Sequence, residues 1–126
     1  MKKLFTLLFA IPVLLSFYTM VGIDDVIAAL KTGNAAQVAK YFDNTVDITL
    51  PQKSNSYSKS QAEMILRDFL NNNSVKNFTI KHRGTNAGSE YVIGSLVTAA
   101  GSFRTTIFMK QKGDKQFLQE MRFENE

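Results

Sequence analysis

After the triplet Asn71-Asn72-Asn73 the hydrophobic pattern of this chain changes from a helical period to a period of two, and it keeps that period to the end. Residues two apart share one face of a strand, so the second half reads as strands with at least one covered face. Four are predicted, over 75–83, 90–100, 102–112 and 116–124. Glycine-bearing turns at 84–88, Gly101 and Gly113-Asp114 separate them. Short turns between consecutive strands make neighbours antiparallel, so the prediction is a meander.

The first half carries the complementary pattern. Residues 24–31 have helical spacing, with Asp24 and Asp25 in the first turn and Lys31 in the last, both signs matching the helix dipole. Gly33 is a natural left-handed stop. Asn34 followed by Gln37 predicts the capped start of a second short helix, whose stripe is Val38, Tyr41 and Phe42. Asp43-Asn44 reads as a turn, 45–50 as a strand ended by Pro51, and 52–57 as a polar loop or short strand. A third helix is expected over about 59–71, capped by Ser58 or Ser60, with Ala62, Ile65, Leu66, Phe69 and Leu70 on one face.

Strand parity then assigns faces. Phe78, Ile80 and His82 fall on one face of their strand, and Phe117, Gln119, Met121 and Phe123 on one face of the last. In the strand over 90–100 both parities are apolar: Tyr91, Ile93 and Val97 on one side, Val92 and Leu96 on the other. Helices cover one face of such a sheet, so the other calls for a second cover. A homodimer through the sheet is the expectation.

Residues 1–22 stand apart. Lys2 and Lys3 precede the apolar run from Leu4 to Leu15, the layout of a secretory signal peptide. Extended to Val21, the run also approaches the ~17–25 residues that span a bilayer, so an uncleaved anchor is the alternative. The expected location is periplasmic or secreted, or the inner membrane if the segment stays, with membrane contact only there. The remaining 23–126 form one domain.

A chain that is 44% hydrophobic and 21% charged is too apolar for a disordered tail. It has no cysteine and one histidine, so disulfides, thiolate chemistry and Cys- or multi-His metal centres are excluded; no cofactor and no metal are expected. Of 15 Lys and Arg, removing Lys2 and Lys3 leaves a net charge of +2 against 11 Asp and Glu, scattered except at Lys81-His82-Arg83. Nucleic-acid binding needs a concentrated basic stripe, so it is not expected.

The stretch from Ala29 to Phe42, the strand ending at Leu50-Pro51 and the helix from Ser58 to Leu70 together resemble the nuclear-transport-factor-2-like superfamily, which also holds ketosteroid isomerase and SnoaL-type cyclases. The stretches Tyr91 to Thr98 and Gly101 to Arg104 are most similar to a family of small exported bacterial proteins of unknown function. The resemblance implies an α+β roll, three N-terminal helices packed on a curved, mainly antiparallel sheet, with a cavity between them. In the ketosteroid-isomerase pattern the general base directly precedes the proline that ends the first strand. Leu50 stands there in this chain, and Asp47 falls on the opposite face of the strand.

Two functions follow as expectations. One is a non-enzymatic binding or interaction module, with a cavity for a small apolar or amphipathic ligand or a protein partner on the sheet. The alternative is a small isomerase, dehydratase or cyclase with His82 as general base, oriented by Glu120 or Asp47, and Arg104 or a tyrosine as electrophilic support. An arginine at such a position more often pairs with a cross-strand acid, and Glu120 or Glu90 is a ready partner for Arg104. The residues expected to line a ligand pocket are Tyr41, Leu50, Tyr57, Phe69, His82 and Arg104.

Overall fold

A computed structural model describes residues 22–126. The expected leader or anchor thus lies almost wholly outside the described residues. Among those residues no helix is long and apolar enough to cross a membrane.

Three helices precede or interrupt six strands: α1 (Ile23–Lys31), α2 (Ala35–Ala39), β1 (Phe42–Leu50), β2 (Lys53–Ser58), α3 (Lys59–Asn73), β3 (Val75–Asn86), β4 (Ser89–Thr98), β5 (Gly101–Lys112) and β6 (Lys115–Asn125). The cap chemistry works largely as the sequence implies. The Asn34 side chain accepts from the Gln37 amide, and Ser58 with Gln61 forms a reciprocal capping box on α3. Gly33 takes φ +69° just beyond the C-cap Thr32 of α1.

The strands form one sheet in the order β2-β1-β6-β5-β4-β3. All neighbours are antiparallel except β1 and β6, which run parallel. That pairing carries the chain from the first half across to the last strand and closes the meander against β1. Two expectations fail here. Phe42 does not extend the second helix but opens β1 opposite Leu118, and Asp43-Asn44 is no turn. Between Phe42 and Asp47 five steps along β1 match two along β6, so the strand absorbs the extra residues as an irregularity. The segment after Pro51 is a strand, exposed on the sheet edge.

One face of the sheet meets the helices and holds the core. Val46, Ile48, Phe78, Val92, Leu96, Phe103, Ile107, Met109, Leu118, Met121 and Phe123 are buried there, with Val26 and Leu30 from α1, Val38 from α2, and Leu66 and Phe69 from α3. Burial at this scale is the main stabilising term, about 1.5–3 kcal/mol for each large side chain. Gly94 belongs to this face because the Phe78 ring crosses it: a Cβ there would lie 2.6 Å from that ring and 2.5 Å from the Thr79 carbonyl.

Two bulges overturn the simple parity of β3 and β6. Ile80 faces Gly94 but His82 faces Ile93, so Lys81 is an extra residue and His82 moves to the face opposite Phe78. In β6, Met109 pairs Leu118 and Phe108 pairs Glu120, so Gln119 is extra. Leu118 therefore joins Met121 and Phe123 inside, while Phe117 is only half-buried. A one-residue insertion flips every side chain beyond it.

Candidate functional site

Meander turns alternate between the two ends of a sheet. At one end the β1–β2 turn, the β4–β5 turn, the last residues of β6 and the final turns of α3 come together. They enclose an open cleft of about 570 Å³ lined by Leu50, Pro51, Gln52, Lys53, Phe69, Asn73, Ala100, Phe103 and Asn125. The segment is fixed by main-chain bonds: the Ala99 amide donates to the carbonyls of Asn73 (3.1 Å) and Ser74 (3.0 Å), pinning the end of α3 to the β4–β5 turn. Ser74 makes this corner with φ 53°.

Phenylalanines form the floor. The Phe69 ring meets Phe103 edge-on at 5.2 Å and Phe123 at 4.7 Å between centroids. These are favourable aromatic geometries, and they close the inside of the roll below the cleft. Around the rim the polar groups are amides and one ammonium. Lys53 is the one ionisable side chain of the lining, and no carboxylate lies within ion-pair reach of it among the described residues. Neither a histidine nor an acid lines the cleft. Leu50 does, at the position where the resemblance to ketosteroid isomerase would require the general base.

Of the six residues expected in a pocket, the structure brings Leu50 and Phe69 together in this cleft. The other four lie elsewhere. Tyr57 packs at the core edge opposite Val46. Tyr41 lines a separate depression of about 350 Å³ between α1 and α2. There its hydroxyl donates to Asp25 at 2.6 Å, a bond that, with some burial, pushes the phenol up to about 12. Arg104 is exposed on the open face of the sheet and pairs with Glu124 at 3.7 Å, directly across the ladder, not with Glu120 or Glu90.

His82, carried to that open face by the β3 bulge, hydrogen-bonds the Tyr91 hydroxyl at 3.0 Å and packs edge-on against its ring. Gly84 makes room for this arrangement, since a Cβ there would meet the Tyr91 ring at 2.7 Å. The two acids considered as partners for His82 are engaged elsewhere: Asp47 accepts from Ser56, and Glu120 pairs with Arg122 at 3.3 Å. A histidine base held by a carboxylate is therefore not assembled. Among the described residues no group of three or more His, Asp or Glu side chains gathers to hold a metal ion.

The strongest electrostatic perturbation of a carboxyl lies at the other end of the roll. Asp43 accepts from Lys112 Nζ at 2.7 Å and Gln119 Nε2 at 2.9 Å, and these bonds hold its carboxyl down at about 2. The pair ties the irregular start of β1 to the β5–β6 hairpin, and Gln119, the residue extruded by the β6 bulge, supplies one of the donors.

Sequence reasoning missed most of the cleft rim: Pro51, Gln52, Lys53, Asn73, Ala100, Phe103 and Asn125. The available signal was topological. In an alternating meander, the turn after Leu50 and the turn before Gly101 fall at the same end once β1 is paired with β6.

Comparison with known proteins agrees with this architecture. The chain is similar to a protein from Bacteroides uniformis of the family described as a domain of unknown function, DUF4783. The two are 33% identical over 82% of this chain and 95% of that one, with a TM-score of 0.79. A second, from Bacteroides ovatus, is 28% identical over 81% and 93% of the two chains, with a TM-score of 0.78. A nuclear-transport-factor-2-like protein of unknown function from Cytophaga hutchinsonii shares the fold at 9% identity, covering 80% of this chain and 83% of that one, with a TM-score of 0.58. No curated protein matches the chain. The roll is thus of the nuclear-transport-factor-2-like class, and with residues 23–124 matched by the family model, the chain belongs to the DUF4783 family of domains of unknown function.

Proposed function

We propose that this domain is a non-enzymatic binding module that holds a small apolar or amphipathic molecule in the cleft at the open end of its roll. The observation that carries the reading is the lining itself, a phenylalanine floor under a rim of amides and one lysine, with no acid and no histidine. Ligand sites are commonly concave, largely apolar and supplied with a few placed polar groups. Catalysis of the isomerase or cyclase kind would need a base inside the cleft, and Leu50 occupies its place.

The open face of the sheet supports a second, independent proposal, self-association. Tyr91, Ile93, Val97 and Phe108 are half-buried there, on the side the helices do not cover. The leader-like pattern of residues 1–22 supports a location outside the cytoplasm for both activities.

Native mass spectrometry of protein recovered from an exported expression tests these points together. The expected result is an extra mass that is lost on denaturation and absent from Ala100→Trp, whose indole would fill the cleft mouth. A mass equally retained by that variant, or a chain that never carries one, would overturn the cleft reading. The same spectrum gives the subunit count and the N-terminal residue.

A further inference from the structure

From the charge distribution around the cleft we infer that its ligand is a small anionic amphiphile, with a carboxylate-type head on Lys53 and an apolar body on Phe69 and Phe103. This rests on the reading of the cleft as a binding site and names the chemistry it selects. Lys53 closes the β1–β2 hairpin opposite Leu50, so its backbone position is set by the ladder and not by a free loop. It is the lone charge of the lining.

No acid lines the cleft: Asp68 precedes Phe69 on α3 but is not among the lining residues, and the acids at the end of β6 have partners of their own. Glu124 pairs with Arg104, and Glu126 with Lys81 and the Ser95 hydroxyl. Asp47 is bound by Ser56 on the other face of β1. A cationic ligand would therefore meet an uncompensated ammonium, whereas an anionic head gains a charge-assisted bond.

The C-terminus of α3 also points at this cleft, and a helix C-terminus disfavours anions. Here that end is largely satisfied. The carbonyl of Phe69 accepts from Asn73 Nδ2 at 2.8 Å, that of Leu70 from the Ser74 amide at 3.1 Å, and that of Asn73 from the Ala99 amide. Gln52 and Asn125 add side-chain amides on the rim, whose NH2 groups are donors available to a carboxylate, so the selection for charge rests on Lys53.

The test is a titration of the full domain with three probes sharing one apolar body: octanoate, octanamide and octylammonium. Binding is read from ¹H–¹⁵N shifts of Lys53, Ala100, Phe103 and Asn125. The expected order is octanoate tightest, about tenfold over octanamide, with octylammonium weakest. Lys53→Glu should reverse the order of the two charged probes, and Lys53→Met should bring octanoate level with octanamide. Lys53 is exposed on an edge strand, so both variants keep the fold. Equal affinities for the three probes, or preference for octylammonium, would overturn the anionic assignment while leaving the cleft as a binding site. Failure of all three to shift these amides would overturn both.

Discussion

The two faces of the sheet divide the labour of this molecule. The face under the helices is apolar almost throughout and ends in a cleft whose lining holds one charge, Lys53. The open face carries the residues with chemical reputations: His82, Tyr91, Arg104, Glu120 and Arg122. On that face they engage one another or a neighbouring strand in polar pairs. The difference teaches that a histidine, an arginine and acids in a small roll need not converge on its cleft. Which side of the pleat they occupy decides.

Energetics separates the faces most sharply, and mutation provides the largest contrast. Phe123→Ala, fully buried against Phe69, should cost about 3–5 kcal/mol in urea unfolding. A loss under 1 kcal/mol would mean that the phenylalanine floor is loose. Gly94→Ala, on the same face, pushes a methyl into the Thr79 carbonyl and should cost about 1–3 kcal/mol. On the open face, Arg104→Ala breaks a pair in which both partners are about half exposed, so its effect should stay below about 1 kcal/mol.

Two titrations sharpen the comparison at smaller amplitude. The folded-state value of Asp43, about 2, lies below its ordinary 3.8, so this carboxyl contributes stability that is fully present above pH 4 and lost as the pH falls through about 2. Asp43→Asn should flatten the acid limb of the stability profile in that window, and an unchanged limb would remove Asp43 as the tie between β1 and the last hairpin. Tyr41 has the opposite sign. Its folded value of about 12 lies above the ordinary 10.0, so its contribution is present below pH 10 and fades as the pH climbs through 12. Ultraviolet titration should show one late phenolate phase that Tyr41→Phe removes.

Much of the fold was legible because its signals are local. The capping residues Asn34 and Ser58, the stop at Gly33 and the stripe of α3 each act within one or two turns of chain. The antiparallel meander followed from a change of period, and the α+β roll from the resemblance. The bulges at Lys81 and Gln119 were not legible, because pairing partners decide where a strand gives up a residue, and alternation in sequence continues straight through them. Alternation alone puts His82 on the face of Phe78, and the bulge puts it on the other. The parallel pairing of β1 with β6 is likewise a property of residues some seventy positions apart.

The site was legible only where its residues also had structural duties. Phe69 belonged to a helical stripe, and Leu50 stood before a strand-ending proline. Lys53, Asn73 and Asn125 sit at element ends, where a polar residue is ordinary, and only the assembled turns make them a rim.

The most direct test of this division is a small-fragment screen read by ¹H–¹⁵N shifts on the whole domain, with both faces observed at once. Hits are expected to perturb the amides of Lys53, Asn73, Ala100, Phe103 and Asn125 and to leave those of His82, Tyr91 and Arg104 in place. Perturbations gathered around His82, Tyr91 and Arg104, with the cleft silent, would contradict this division.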